Sequence, residues 1–160
     1  MATDQKNISA EAVKEIKALF HHAPQKKNVG IDALKIVQEY NGWVSDDALK
    51  EVAEMCEMTY HELDSVATFY NIIFRRPVGR NVIMICDSVT CWIVGYKEIL
   101  KGLKDRLGIG LGETTEDDRF TLLPIPCLGN CDKAPTFLVN KDLYEHVEVD
   151  QLDEILKKYE

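Results

Sequence analysis

The sequence predicts a mixed protein of the α+β/α/β class, in which a bundle of four helices precedes a unit where strands and helices alternate. Apolar residues recur at helical spacing through the first half of the chain. The second half begins with a short, continuous apolar run at residues 82–85, which is typical of a strand buried on both faces. The pattern changes within residues 75–80, which contain a proline and a glycine. We therefore expect a helical region over residues 1–78 and a separate α/β domain over residues 79–160.

The helices of the first half have recognisable starts. Ser9, Ser45 and Thr59 are residue types that cap helix N-termini, and Thr59 forms a T-x-x-E capping box with Glu62. The fourth helix is expected to continue to about residue 74, because the arginine before Pro77 is biased away from helical backbone angles. The residues expected to face the core are Val13, Ile16 and Phe20 in the first helix, Ile31, Leu34, Val37 and Tyr40 in the second, Leu49, Val52, Ala53 and Cys56 in the third, and Leu63, Val66, Ala67 and Tyr70 in the fourth.

The second half follows the order strand, helix, strand, hairpin and helix. After the first strand, a helix is expected from about Trp92 to Leu107, with Gly108 as its C-terminal cap. Further strands are predicted at residues 120–125, 136–139 and 143–147, the last two as a hairpin, and Asp150 is expected to cap the final helix. If the first two strands are parallel neighbours, their carboxyl ends lie at the same edge of the sheet.

Composition and charge exclude several classes of protein. The 160 residues carry a formal charge of −8, and residues 81–160 hold 9 basic against 15 acidic side chains. A nucleic-acid binder is not expected, because phosphate binding needs clustered positive charge. No apolar run approaches the ~18 residues needed to span a bilayer, and the polar first ten residues do not resemble a secretory signal. We expect a cytoplasmic protein with no direct membrane insertion.

Cysteines are the side chains most indicative of chemistry. Their odd number, five, without a signal peptide argues against a disulfide framework. Cys86 and Cys91 form a C-x4-C pair after the first predicted strand, and Cys127 and Cys131 form a C-x3-C pair after the second. Because both strands end at one edge of the sheet, the four thiols are expected to converge. Cys56, on the inward face of the third helix, is expected to be a buried free thiol.

The spacing alone leaves three kinds of site open. An iron–sulfur cluster is wider than a single ion, and long spacings suit it. Zinc also accepts four thiolates, but its structural sites usually use tighter C-x2-C pairs. A dithiol oxidoreductase is the weakest alternative, because the chain has no C-x-x-C. Gly129 allows backbone amides to approach sulfur closely, and Ser88, Thr90 and Asn130 are candidate side-chain donors.

A resemblance to a known family rests on the same residues. It is carried by ICDSVTCWIVGYKEI at residues 85–99 and GETTEDDRFTLLPIPCLGNCDKAPTFLVN at residues 112–140. The pattern C-x4-C followed by C-L-G-x-C-x-x-A-P resembles the small 2Fe–2S subunits in the NADH dehydrogenase module of bacterial NADH:quinone oxidoreductase, respiratory complex I. The resemblance extends over essentially the whole chain. It implies a thioredoxin-like 2Fe–2S ferredoxin domain behind the helical region, with one cluster held by Cys86, Cys91, Cys127 and Cys131.

Electron transfer is the activity that the resemblance implies. The chain is expected to accept single electrons from the FMN of a partner NADH-oxidising flavoprotein subunit, and to join the rest of complex I through that partner. FMN and NADH are expected on the partner only, so this chain belongs to an oxidoreductase but has no substrate site of its own. The implied location is the peripheral arm, at the cytoplasmic side of the inner membrane.

Two alternatives remain open on the sequence alone. Related subunits occur in NAD-linked hydrogenases and formate dehydrogenases, so an equivalent diaphorase subunit of such an enzyme is the nearest alternative. An alternative from a different class is a zinc-stabilised structural interaction module without redox chemistry. The aromatics Phe69, Tyr70 and Phe74 are expected to pack in the bundle, or in part at a partner interface. The arginines of residues 75–80 are expected to be solvated, with contact to an acidic partner as the alternative.

Overall fold

The computed structural model describes residues 8–159, which form two compact units. One unit ends at Pro77 and the other begins at Val78, one residue before the expected boundary. Whether the two units fold as independent domains stays a prediction. The helices of the first unit are α1 (Ala10–Leu19), α2 (Gly30–Asn41), α3 (Asp46–Met55) and α4 (Tyr60–Phe69), with short 3-10 turns at Phe20–His22 and Lys26–Val29.

The predicted N-terminal caps are confirmed. The Ser9 hydroxyl accepts the backbone N–H of Ala12, and the Ser45 hydroxyl accepts that of Ala48, each at 3.1 Å. Thr59 and its partner glutamate form both hydrogen bonds of the capping box. Each cap satisfies backbone donors that the first helical turn leaves without a partner. The fully buried side chains of this core include Ala12, Ile16, Leu34, Val37, Leu49, Val52, Cys56 and Leu63.

Tyr40 was wrongly assigned to the buried face of α2. Residues spaced by three drift by about 60° per step around a helix of 3.6 residues per turn, so the ninth residue after Ile31 lies on the opposite side. The buried side of α2 is instead formed by Gly30, Ala33, Leu34 and Val37. Tyr40 is exposed, and its hydroxyl donates to the Glu15 carboxylate at 2.8 Å.

The fourth helix ends five residues before the predicted position. It stops at Phe69, and both Phe69 and Tyr70 are exposed rather than packed in the bundle. The segment that follows is held by the Gln38 side chain, which donates to the Ile72 carbonyl and accepts the Phe74 backbone N–H. These tertiary hydrogen bonds replace the helical ones that α4 would otherwise continue.

Arg75 is not solvated, contrary to expectation. Its guanidinium pairs with Asp46 at 2.6 Å and Asp64 at 3.3 Å, and it also donates to the Val44 carbonyl. Asp46 lies in the first turn of α3, whereas Asp64 lies in α4. The side chain therefore ties the end of the first unit to two of its own helices.

The second unit is built on a four-stranded mixed sheet. Its strands are β1 (Asn81–Cys86), β2 (Phe120–Ile125), β3 (Phe137–Val139) and β4 (Asp142–Tyr144), and their order across the sheet is β2-β1-β3-β4. As predicted, β1 and β2 are parallel and β3 and β4 form an antiparallel hairpin. The helices are α5 (Val89–Val94), α6 (Tyr96–Leu107) and α7 (Leu152–Lys157). The core lies between sheet and helices and includes Ile83, Ile99, Leu103, Phe120, Leu122, Phe137 and Leu152.

Two helix predictions in this unit need correction. The helix expected from Trp92 begins three residues earlier and is divided into α5 and α6 at Gly95. Gly95 has φ +128°, a backbone angle that side chains rarely allow, so the chain changes direction there. Before α7, Glu148 rather than Asp150 takes the capping role, because a 3-10 turn at Val149–Gln151 comes first. Among residues 8–159, no helix has the length and apolar content needed to cross a membrane.

Candidate metal centre

The two cysteine loops leave the sheet at the same edge. Cys86, the last residue of β1, lies opposite Ile125, the last residue of β2, in the parallel register. The Asp87 backbone N–H donates to the Ile125 carbonyl at 3.0 Å, so the pairing continues one step into the loops. The parallel register therefore brings Cys86 and the start of the second cysteine loop to the same edge of the sheet.

The four predicted ligand cysteines form two pairs with different surroundings. Cys86 and Cys91 are buried, with 2% and 1% of their surface exposed, and their thiols hydrogen-bond each other. Cys127 and Cys131 are exposed, and their sulfurs are 4.0 Å apart. Within residues 8–159, no three His, Cys, Asp or Glu side chains are close enough together to hold one metal ion. The pair of Cys86 and Cys91 is enclosed by protein, whereas the pair of Cys127 and Cys131 faces solvent.

Further contacts join the two loops. The backbone N–H of Leu128, in the second loop, donates to the Cys86 sulfur. In return, the hydroxyl of Thr90, in the first turn of α5, hydrogen-bonds the Cys131 sulfur. The segment that carries each cysteine pair therefore contributes a hydrogen-bond donor to a sulfur of the other pair.

Every one of the four sulfurs has a donor beside it. In addition to the Thr90 contact, the Cys86 thiol donates to Ser88 Oγ at 3.4 Å, a hydroxyl that can donate in return when the sulfur is a thiolate, and the Gly129 backbone N–H donates to Cys127 at 3.3 Å. Gly129 has φ +75°, which explains the glycine in this tight loop. Thr136 Oγ1 lies 3.9 Å from the sulfur of Cys91. Hydrogen bonds of this kind stabilise negative charge on sulfur ligands.

Among the residues that the structure describes, three side chains are placed to donate to these sulfurs, and the sequence identified two of them. Ser88 and Thr90 lie where they were predicted, but Asn130 does not donate to sulfur and instead donates to Glu145 at 2.8 Å. Thr136 was missed because it lies beyond the second cysteine loop. Its proximity to Cys91 follows from the antiparallel pairing of β3 with β1. The placement of β3 beside β1 is the signal that would have found it.

The pKa values of two thiols reflect these contacts. Burial raises the pKa of Cys86, but the hydrogen bonds from Ser88, Leu128 and Cys91 outweigh burial, so its pKa is lowered. The hydrogen bond and the charge of Cys127 raise the pKa of Cys131. Thiolates close together repel one another, and a bound cation removes that repulsion. Four soft sulfur donors of this kind select zinc or an iron–sulfur cluster.

The second cysteine loop is braced from outside. Glu145, which follows β4, accepts hydrogen bonds from Asn130 and from Lys133 at 2.9 Å. Lys133 and Asn130 lower the pKa of Glu145, and Glu145 raises the pKa of Lys133. The Lys133 carbonyl also accepts the backbone N–H of His146 at 2.9 Å. The segment after β4 therefore holds the loop that carries the exposed thiols.

An apolar surface adjoins the buried thiol pair. We call the exposed side chains of α5 the α5 face; they are Val89, Trp92, Ile93 and Val94. Ile93 is 74% exposed, and Lys97 Nζ lies 4.2 Å from the centre of the Trp92 ring. Cys91 lies on the same short helix but points inward. Contiguous exposed apolar residues of this kind mark interaction sites in many proteins.

Cys56 is a separate case. It lies in the core of the first unit, fully buried, and burial raises its pKa. It forms no disulfide. The prediction of a buried free thiol is confirmed.

Comparison with known proteins identifies relatives that match nearly the whole chain. Residues 16–160 match the family described as thioredoxin-like 2Fe-2S ferredoxin. The chain is 51% identical to an NADH-quinone oxidoreductase subunit of Buchnera aphidicola subsp. Acyrthosiphon pisum, over 95% of this chain and 94% of the relative. It is 43% identical to the subunit of the same name in Pseudomonas aeruginosa, over 98% and 95% of the two chains.

A solved structure shares the fold. The air-oxidised NAD+-reducing NiFe-hydrogenase has a chain that is similar with a TM-score of 0.61 and 26% identity. The match covers 70% of this chain but 20% of the hydrogenase chain. The predicted helical region followed by a thioredoxin-like 2Fe–2S domain is therefore confirmed, and the chain belongs to the thioredoxin-like 2Fe-2S ferredoxin family.

Proposed function

We propose that this chain is the electron-transfer subunit of an NADH:quinone oxidoreductase, and that Cys86, Cys91, Cys127 and Cys131 hold its 2Fe–2S cluster. The observation that carries the proposal is that two pairs of cysteines follow two adjacent parallel strands at one edge of the sheet. This arrangement occurs in a chain whose family is defined by a 2Fe–2S group. The donor set fits that group, because all four ligands are sulfur and each has a hydrogen-bond donor.

We further propose that each cysteine pair binds one iron. The 4.0 Å between the sulfurs of Cys127 and Cys131 supports this. Two sulfurs that bind one tetrahedral ion at bonds of about 2.3 Å lie about 3.8 Å apart. When bound, a 2Fe–2S cluster takes up and returns one electron. The burial of Cys86 and Cys91 excludes water from their sulfurs. The surrounding N–H and O–H groups stabilise the negative charge of the four sulfurs.

The electron donor in this proposal is a flavoprotein subunit that holds FMN and the NADH site. The α5 face supports such a partner, because it is apolar and lies on the helix that also carries Cys91. One-electron transfer between proteins needs a short path, so a partner that covers the α5 face would bring its flavin near the cysteines. The assembly would lie in the peripheral arm of complex I, at the cytoplasmic side of the inner membrane.

A diaphorase subunit of an NAD-linked hydrogenase is the second candidate. The similarity to the NAD+-reducing hydrogenase favours this candidate. That similarity amounts to 26% identity and covers one fifth of the hydrogenase chain. Full-length relatives named as quinone oxidoreductase subunits reach 51% and 43%. The higher identity over nearly complete chains favours the quinone oxidoreductase.

The proposal is tested on anaerobically purified protein by a visible absorption spectrum with iron, zinc and acid-labile sulfide assays. Two irons and two sulfides per chain, with visible bands that bleach on addition of dithionite, are the expected result. A colourless protein that binds one zinc after anaerobic reconstitution with iron and sulfide would establish the structural zinc module instead. Co-purification of an FMN-containing subunit, together with bleaching of the visible bands when NADH is added, would support the proposed partner.

A further inference from the structure

Thr136 is a buried polar residue beside the enclosed thiol pair. It lies directly before β3 and is 3% exposed. Its hydroxyl oxygen is 3.9 Å from the Cys91 sulfur, and among residues 8–159 this sulfur is the only hydrogen-bond partner found for it. Its carbonyl accepts the backbone N–H of Cys86 at 3.3 Å. Thr136 therefore contacts both cysteines of the buried pair.

The direction of the hydroxyl contact depends on the state of Cys91. A thiol and a hydroxyl can each donate to the other, but a metal-bound thiolate has no proton to donate. With Cys91 as a ligand, the Thr136 hydroxyl is the donor and the sulfur the acceptor. Such a bond is stronger when the sulfur carries more negative charge, which is the reduced state of the site.

We propose that Thr136 tunes the reduction potential of the site by donating a hydrogen bond to the Cys91 sulfur. The inference rests on the proposed 2Fe–2S function and adds a residue that raises the potential. Because the hydroxyl stabilises the reduced state more than the oxidised state, its loss lowers the potential. Thr136 acts through a ligand and is a positioning and tuning residue.

The Thr136 contact differs from those of the other donors in its surroundings. Cys91 is 1% exposed, so water cannot easily replace a lost donor at its sulfur. As a thiolate, Cys86 can accept from the Ser88 hydroxyl, to which its thiol now donates at 3.4 Å, and from the Leu128 N–H, so one donor remains when the other is removed. Hydrogen bonds are also electrostatically stronger in a buried site than at the surface. Among the hydroxyl donors, the largest single effect is therefore expected at Thr136.

The experiment is a redox titration of the purified full chain, followed by electron paramagnetic resonance, with three variants. Thr136→Val keeps the shape of the side chain and removes the hydroxyl. We expect the ratio of reduced to oxidised protein at a fixed ambient potential to fall about threefold to tenfold, a shift of roughly 30 to 60 mV for one electron. Thr136→Ser retains a hydroxyl and should restore the potential of the unsubstituted protein.

Thr121→Val is the matched control. Thr121 is also buried and 3% exposed, but it lies at the start of β2, at the opposite end of the strand from the cysteine loop. Its hydroxyl accepts the Gly79 N–H and shares a hydrogen bond with the Thr114 hydroxyl. The reduction potential of the Thr121→Val protein should stay unchanged even if the stability of this variant falls.

Equal potentials in the unsubstituted chain and Thr136→Val, both with full iron and sulfide, would overturn the inference. If Thr136→Val fails to assemble, Thr136→Ala replaces it and must show the same fall. A potential shift in Thr136→Ser as large as in Thr136→Val would also overturn it, because the hydroxyl would then not be the cause. Failure of the proposed function is distinguishable, since the unsubstituted chain would then contain no cluster to titrate.

Discussion

Two alanine substitutions separate structural from ligating cysteines. Cys56→Ala and Cys127→Ala each remove one sulfur, but from opposite surroundings. Cys56 is fully buried in the helical unit, whereas Cys127 is exposed at the sheet edge of the other unit. Cys56→Ala should lose stability and keep iron, and Cys127→Ala should lose iron and keep the stability of the metal-free chain.

The magnitudes follow from burial. Removing a buried group of about methyl size costs on the order of 1 kcal/mol, because the lost contacts are only partly recovered by relaxation. For a small domain this lowers Tm by roughly 4–8 °C. An exposed side chain such as Cys127 contributes within about 0.5 kcal/mol to the stability of the metal-free protein. Cys127→Ala should nevertheless lose iron, since one of the four proposed sulfur ligands is absent.

Calorimetry of the metal-free proteins and iron assays of the reconstituted proteins measure the two effects. We expect two irons per chain in Cys56→Ala, as in the unsubstituted protein, and clear depletion in Cys127→Ala. A Cys127→Ala protein with full iron content would falsify the ligand assignment. Loss of iron in Cys56→Ala without a fall in stability would show that the buried thiol had been assigned to the wrong role.

Two further substitutions test the surroundings of the site. Ile93→Lys on the α5 face should weaken association with the flavoprotein subunit roughly tenfold or more, as expected for a charge placed in an interface core. Leu143→Lys, an exposed apolar residue on β4, is its control, and equal binding of the two variants in titration calorimetry would contradict the docking proposal. Glu145→Gln keeps an acceptor for Asn130 but loses the charge that pairs with Lys133. Iron release to a chelator should therefore be faster in Glu145→Gln than in the unsubstituted chain, and faster still in Glu145→Ala. Identical rates in all three proteins would show that Glu145 does not stabilise the loop.

Sequence patterns predicted the helix caps and the buried strand, because these features depend on residues that are close together in the sequence. The caps at Ser9, Ser45 and Thr59 depend on residues three positions away, and all three formed as expected. The buried strand β1 was recognisable because a strand enclosed on both faces is apolar throughout. The early end of α4 was not predictable in this way. It depends on Gln38, which is more than thirty residues distant and competes for the same backbone groups.

The candidate site shows the same limit. The common edge at which the two cysteine segments begin could be predicted, because it requires one assumption, that β1 and β2 are parallel neighbours. The hydroxyls between Cys86 and Cys91, those of Ser88 and Thr90, were also recognisable from their short distance in sequence to a cysteine. Asn130 was assigned the wrong partner, since its acceptor Glu145 comes from a different element.

The unequal exposure of the two thiol pairs has a consequence for electron transfer. The pair on the β1 side is enclosed, and one of its donors, Thr136, is held beside it by the placement of β3 next to β1. The pair on the β2 side is exposed and depends on a loop that Glu145 braces from outside. Negative charge on the enclosed sulfurs can be stabilised only by protein donors, whereas charge on the exposed sulfurs can also be stabilised by water. A partner that covers the exposed pair would remove that water, so docking itself should change the reduction potential of the site, and donors such as Thr136 should matter more in the complex than in the isolated chain.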